Sequence, residues 1–216
     1  MAVVVTDHRT IVNEADAITN WTGSPTLFTA DPAPVEATGC IGYVVSTATV
    51  DSFVTVGSTD LTNKIVYVWV LPRGAMDTLA AGGVGVHLGD GTDRISFHVA
   101  GSDATGFRHF TGPIDWVCVA VDTSNLPVQS TVRAGSLANL TLTANTQIGA
   151  VFKTLAKSVG GVSNCFVDII RVFDPTLNNG AAMSITGGTS GDPGRFSEIA
   201  ALDRTTTNQL AYGIIR

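Results

Sequence analysis

Asn164-Cys165-Phe166-Val167-Asp168-Ile169-Ile170-Arg171-Val172-Phe173-Asp174-Pro175 is the stretch whose reading decides the fold. From Cys165 to Val172 every residue except Asp168 and Arg171 is apolar. Side chains alternate between the faces of a strand, so both faces here are mostly apolar. Such a strand lies between layers rather than at a surface. Asp168 and Arg171 have an odd spacing, which in a regular strand puts them on opposite faces. They cannot simply pair, and each charge needs a partner from elsewhere in the fold.

Two other stretches have the same two-sided pattern. Lys64 to Leu71 carries Ile65, Tyr67, Trp69 and Leu71 against Val66, Val68 and Val70, and Ile114 to Asp122 sets Trp116, Cys118 and Ala120 against Val117, Val119 and Val121. These three are expected as inner strands. Shorter strand-like runs are Thr19–Trp21, Cys40–Ser46, Ser52–Val56, Phe107–Phe110, Leu137–Thr143, Gln147–Thr154 and Leu210–Ile215. Val84–Gly89 and Arg94–Ala100 flank Asp90-Gly91-Thr92-Asp93, an Asp-Gly turn and the clearest hairpin signal. A symmetric closure places His87 opposite Ser96, with His98 a diagonal neighbour on the same face. Asp31-Pro32-Ala33-Pro34 reads as a loop, because proline removes a donor and the residue before it avoids helix. Met76–Ala81 is expected as one helical turn. Arg195–Leu202 is expected as the one short helix, with Phe196, Ile199 and Ala200 on one face.

About ten short strands separated by turns predict an all-β fold, an antiparallel jelly-roll β-sandwich with one short C-terminal helix. The expected organisation is an arm over residues 1–16 and a sandwich over 17–175. Residues 176–216 then form a loop, helix and strand packing on the sandwich or on a neighbour.

Composition narrows the function. Charged residues are 14% of the 216, against about 25% in an average soluble domain, which suggests a surface partly covered by partners. A net charge of −6, with 12 scattered Lys and Arg, argues against nucleic acid. No apolar run reaches the roughly 18–20 residues of a membrane span. Met1 to Val5 lacks the basic start and length of a signal peptide. Cys40, Cys118 and Cys165 are widely spaced and odd in number, and are expected as buried, reduced thiols rather than metal ligands.

No arrangement of catalytic residues stands out. His87, His98 and His109 lack a fixed carboxylate or thiolate partner and are expected as half-exposed sheet residues, with no metal. Asp90 and Asp93 supply too few oxygens for calcium and serve the turn. A glycosidase needs two carboxyl groups across a cleft, but Glu14, Glu36 and Glu198 fall in the arm, a loop and the late helix. Asp115, Asp122 and Asp168 are each isolated. There is no Gly-x-Ser-x-Gly, no Cys with a local His and no phosphate loop. Trp69 and Trp116 read as core, leaving Trp21 as the one candidate for an exposed sugar platform. Arg73, Arg108 and Arg195 read as interface or solvent contacts. No cofactor is expected.

Ile114 to Asp122, Asn164 to Arg171, Gly187-Gly188-Thr189, Pro193 to Ala200 and the closing Ala211-Tyr212-Gly213-Ile214-Ile215-Arg216 together resemble structural proteins of tailed bacteriophages that carry a concanavalin A-like or LamG-like jelly roll. The resemblance covers most of the chain after about Gly39. It implies a non-enzymatic virion component, of decoration, fibre or collar type, assembled in the host cytoplasm. Its implied partners are further copies of itself and other virion proteins. A carbohydrate-binding module for host recognition, taking a surface glycan, is the alternative. Val3, Val4, Val5, Leu210, Tyr212, Ile214 and Ile215 lie in β-forming ends and are the candidate inter-subunit contacts, because an unpaired edge invites a partner strand.

Overall fold

A computed structural model describes residues 9–36, 38–44, 49–71, 79–100, 116–128, 130–154, 165–175 and 213–214. The strands are β1 (Arg9–Asn13), β2 (Thr26–Phe28), β3 (Cys40–Tyr43), β4 (Val50–Thr59), β5 (Ile65–Leu71), β6 (Leu79–Gly89), β7 (Arg94–Ala100), β8 (Val117–Asp122), β9 (Ser130–Ala134), β10 (Asn145–Thr154), β11 (Cys165–Phe173) and β12 (Gly213–Ile214). They form two sheets with antiparallel pairing throughout. Sheet A runs β12-β8-β5-β11-β3-β2 with β1 added on β11, and sheet B runs β4-β10-β6-β7-β9.

β11 is the centre of sheet A. β5 pairs along one side of it. On the other side β3 pairs with Cys165–Val167 and β1 with Ile170–Phe173, end to end. The three expected inner strands are thus neighbours, in the order β8-β5-β11. Residues 9–13, placed by sequence in an arm, are a strand of this sheet.

The layer between the sheets is apolar from both sides. Ile41, Val66, Val68, Val70, Val119, Val167 and Ile170 of sheet A meet Val54, Val86, Leu88, Ile95, Phe97, Ile148 and Phe152 of sheet B. Sheet A has a second buried cluster on its outer face, built on Tyr67, Trp69, Trp116, Cys118, Phe166 and Ile169, with Phe28 and Val35 packed on it. That is why β5, β8 and β11 read as continuous apolar runs. Cys40, Cys118 and Cys165 are buried thiols, none of them in a disulfide.

Two local expectations change. Leu137–Thr143 is not a strand: Leu137–Asn139 and Leu142–Ala144 are separate 3-10 turns, the first capped by the Ser136 side chain. Leu137 and Leu140 stand three residues apart, one turn of a 3-10 helix, which breaks the two-residue alternation of a strand. The strand in this region is β9, just before it. Leu79–Ala81 belongs to β6 rather than to a helical turn, with Leu79 held in the ladder by Thr154. The expected strand Phe107–Phe110 and helix Arg195–Leu202 lie outside the described residues.

Candidate functional site

The face of sheet B turned away from the core carries the most unusual polar group. The alternation that sends Val86 and Leu88 inward sends His87 outward. The Asp90-to-Asp93 turn fixes the register, and His87 pairs with Ser96 as the hairpin predicts. Yet His87 is 0% exposed, not half-exposed. Its ring stacks on Phe53, centroids 4.3 Å apart and planes 7° apart. Phe53 and His87 come from strands on either side of β10 and are both paired with Gly149. A Cβ on Gly149 would lie 2.6 Å from Phe53 Cα. Glycine is therefore what lets the two rings meet above the sheet.

A second tie closes this face. Arg133 donates from Nε and Nη2 to the two carboxylate oxygens of Asp51, at 2.8 and 2.7 Å. Asp51 is on β4 and Arg133 on β9, the two ends of the strand order. Four strand spacings come to about 19 Å in a flat sheet. The ion pair can form only because sheet B curls toward its outer face. Arg94 lies over Phe53, with its guanidinium carbon 5.6 Å from the ring centroid. His98 is hydrogen-bonded to Thr131 of β9 at 2.8 Å, a further link between β7 and β9.

His87 is thus sealed beneath charged neighbours. Neither ring nitrogen has a hydrogen-bond partner among the described residues. Burial pushes the imidazole down to about 3; Asp51 pulls it up, and Arg94 and Arg133 push it further down. It is a neutral imidazole with no carboxylate to orient it, which is unlike an activated general base.

On sheet A the two charges of β11 meet one loop. Val167 pairs with Val70 but Ile170 with Val68, so Asp168 and Ile169 together stand opposite Trp69. This β-bulge resets the alternation. The expectation of opposite faces fails for that reason: both charges reach residues 35–36. Asp168 Oδ2 accepts from the Val35 N–H at 2.5 Å and the Glu36 N–H at 3.4 Å, and Oδ1 from the Ile169 N–H at 2.8 Å. Arg171 donates to the Glu36 carboxylate. Pro32 and Pro34 have no N–H to give, so the next two donors along the loop serve Asp168. The same loop accepts the Trp116 indole N–H at Ala33 O, 2.8 Å. Burial pushes Asp168 up to about 7 although three backbone N–H groups pull it back. Burial, and secondarily Asp168, pushes the Cys40 thiol up to about 12.

The remaining candidates are structural or lie elsewhere. Asp90 Oδ1 accepts from Thr92 and Asp93 N–H groups, and Oδ2 from Thr141 N–H. Asp93 Oδ1 accepts from Ser136 N–H. These acids pin the β9–β10 connection to the β6–β7 turn. Asp122 holds Ser124. Trp21 is corrected: it is 7% exposed and in the core, because residues 20–22 run along β4 with backbone bonds to Phe53 and Thr55. Trp69 and Trp116 are core as well. His109, Asp115, Glu198, Arg73, Arg108 and Arg195 lie outside the described residues, as do Val3, Val4, Val5, Leu210, Tyr212 and Ile215. Ile214 pairs through its backbone with Val117 of the same chain. No His, Cys, Asp or Glu cluster of metal-binding size occurs among the described residues. The Asp51–Arg133 tie and the loop receiving Asp168 join residues far apart in sequence, and no local motif announces them. A comparison with protein-family models finds no match, and neither does one with curated proteins.

Proposed function

We propose that the chain is a non-enzymatic structural protein of a bacteriophage virion, a capsid-decoration or tail/fibre component on a concanavalin A-like jelly roll, working through subunit contacts. The observation that carries this reading is the apolar end of sheet B. β9 is last in its strand order, and it exposes Val132 at 49%, flanked by Val128 at 88% and Leu137 at 41%. An edge strand with exposed apolar side chains is a template for another chain. Lysine is the residue natural edges use to prevent such pairing. The fixed roles of Asp51, Asp90, Asp93 and Asp168 also favour a scaffold over a catalyst.

The terminal segments are the second part of this reading, with Val3, Val4, Val5, Leu210, Tyr212, Ile214 and Ile215 as contacts to neighbouring subunits. Removing residues 1–8 leaves β1 intact and tests the first three alone.

The test is particle incorporation of Val132→Lys against the unaltered chain. The expected result is an unchanged β-type circular dichroism spectrum with incorporation lost. Incorporation at the unaltered level overturns the edge contact. Binding of the unaltered chain to a glycan array, with incorporation insensitive to Val132→Lys, favours the carbohydrate-binding alternative.

A further inference from the structure

We propose that His87 and the Asp51–Arg133 ion pair form an acid-released latch that holds sheet B curled over its outer face. The ion pair joins β4 to β9 across the whole strand order, and His87 lies beneath it on β6, wholly buried against Phe53. The charged groups facing His87 are Asp51 from β4, Arg94 from β7 and Arg133 from β9. Its other lateral neighbours are uncharged: Ser96 on β7, and Gly149 on β10, with Gln147 two residues along that strand on the same face.

A proton on this imidazole would place a third cation beside Arg94 and Arg133, with Asp51 as the one anion facing it among the described residues. The imidazolium would also stay dry, with neither N–H satisfied. Both costs vanish if the face opens. Asp51 is then free to leave Arg133, and water reaches the ring. The proton that closes out one state is the proton that binds the other, so acid shifts the population towards the open form. Opening loosens β9 and uncovers Phe53 while the layer between the sheets keeps its packing. His98 also ties β7 to β9 through Thr131, so it needs its own control.

The experiment is amide and guanidinium hydrogen exchange by nuclear magnetic resonance, on the full chain, as protection factors against pH. The Arg133 Nε–H reports the ion pair. In the open form His87 has its ordinary value of 6.5, so protection of Arg133 Nε–H should fall about tenfold for each pH unit below that. Sheet A amides such as Val68 and Val119 should keep their protection. His98→Gln should leave the dependence in place, and His87→Phe should remove it. If His87→Phe does not fold, the His87 ring signals of the unaltered chain decide: the ring must become protonated in step with the loss of Arg133 protection. Loss of protection with the ring still neutral overturns the latch. So does a dependence abolished by His98→Gln, or a parallel loss in both sheets, which would be global unfolding.

Discussion

Two buried groups should give the chain opposite and separable responses to pH. His87 is held at about 3 against an ordinary 6.5, so between those values the unfolded chain binds a proton the native one refuses. Stability from this group is therefore present above pH 6.5 and lost as pH falls. Asp168 is held at about 7 against 3.8, so between those values the native chain keeps a proton that the unfolded one releases. Its contribution has the reverse sign, falling as pH rises. At about 1.4 kcal/mol per pK unit, each is worth about 2 kcal/mol between pH 7 and pH 5, and the two nearly cancel. His87→Phe keeps an aromatic ring on Phe53 and cannot take a proton. Its stability relative to the unaltered chain should rise by about 2 kcal/mol from pH 7 to pH 5. For Asp168→Asn the relative stability should fall by about 2 kcal/mol over the same range. Any packing cost of either substitution is independent of pH and drops out. The assay is urea denaturation at a series of pH values, compared as differences. A His87→Phe difference that stays constant with pH would refute the neutral buried imidazole, and a constant Asp168→Asn difference would refute the buried carboxyl.

Other substitutions follow from the packing. Gly149→Ala forces a Cβ against Phe53 and should cost about 1–3 kcal/mol in urea denaturation while disturbing the Phe53–His87 stack. Ile170→Ala empties a fully buried position between the sheets and should cost about 2–5 kcal/mol, whereas Ile11→Ala, at an exposed site on β1, should cost far less. All three thiols should titrate in the unfolded, unreduced chain and stay silent to reagent in the folded one; a count below three would mean a disulfide.

The inner strands were legible because burial on both faces leaves a continuous apolar run, and β5, β8 and β11 all have one. The register of the β6–β7 hairpin was legible because Asp90-Gly91 fixes the turn. β9 was missed because Ser130, Thr131, Arg133 and Ala134 leave Val132 as its one strongly apolar side chain. The bulge in β11 had one faint signal, a carboxylate inside an apolar run. Its consequence, Asp168 and Arg171 meeting the same loop, depends on where residues 35–36 pass. His87 was misread for a similar reason. Alternation gave its face correctly, but its burial comes from the curl of the sheet, which residues far apart in sequence close. Trp21 looked exposed beside a Gly-Ser-Pro turn, and backbone bonds to β4 turn it inward. Patterns along a strand report pairing partners poorly when the partner is not adjacent in sequence.

The most direct test of the proposed role is the structure of this chain inside purified virions, by electron cryo-microscopy. The account predicts repeated copies of the two-sheet sandwich, with a neighbouring subunit covering β9 at Val128, Val132 and Leu137. Particles that lack the chain, or that carry it with that edge open to solvent, would contradict it.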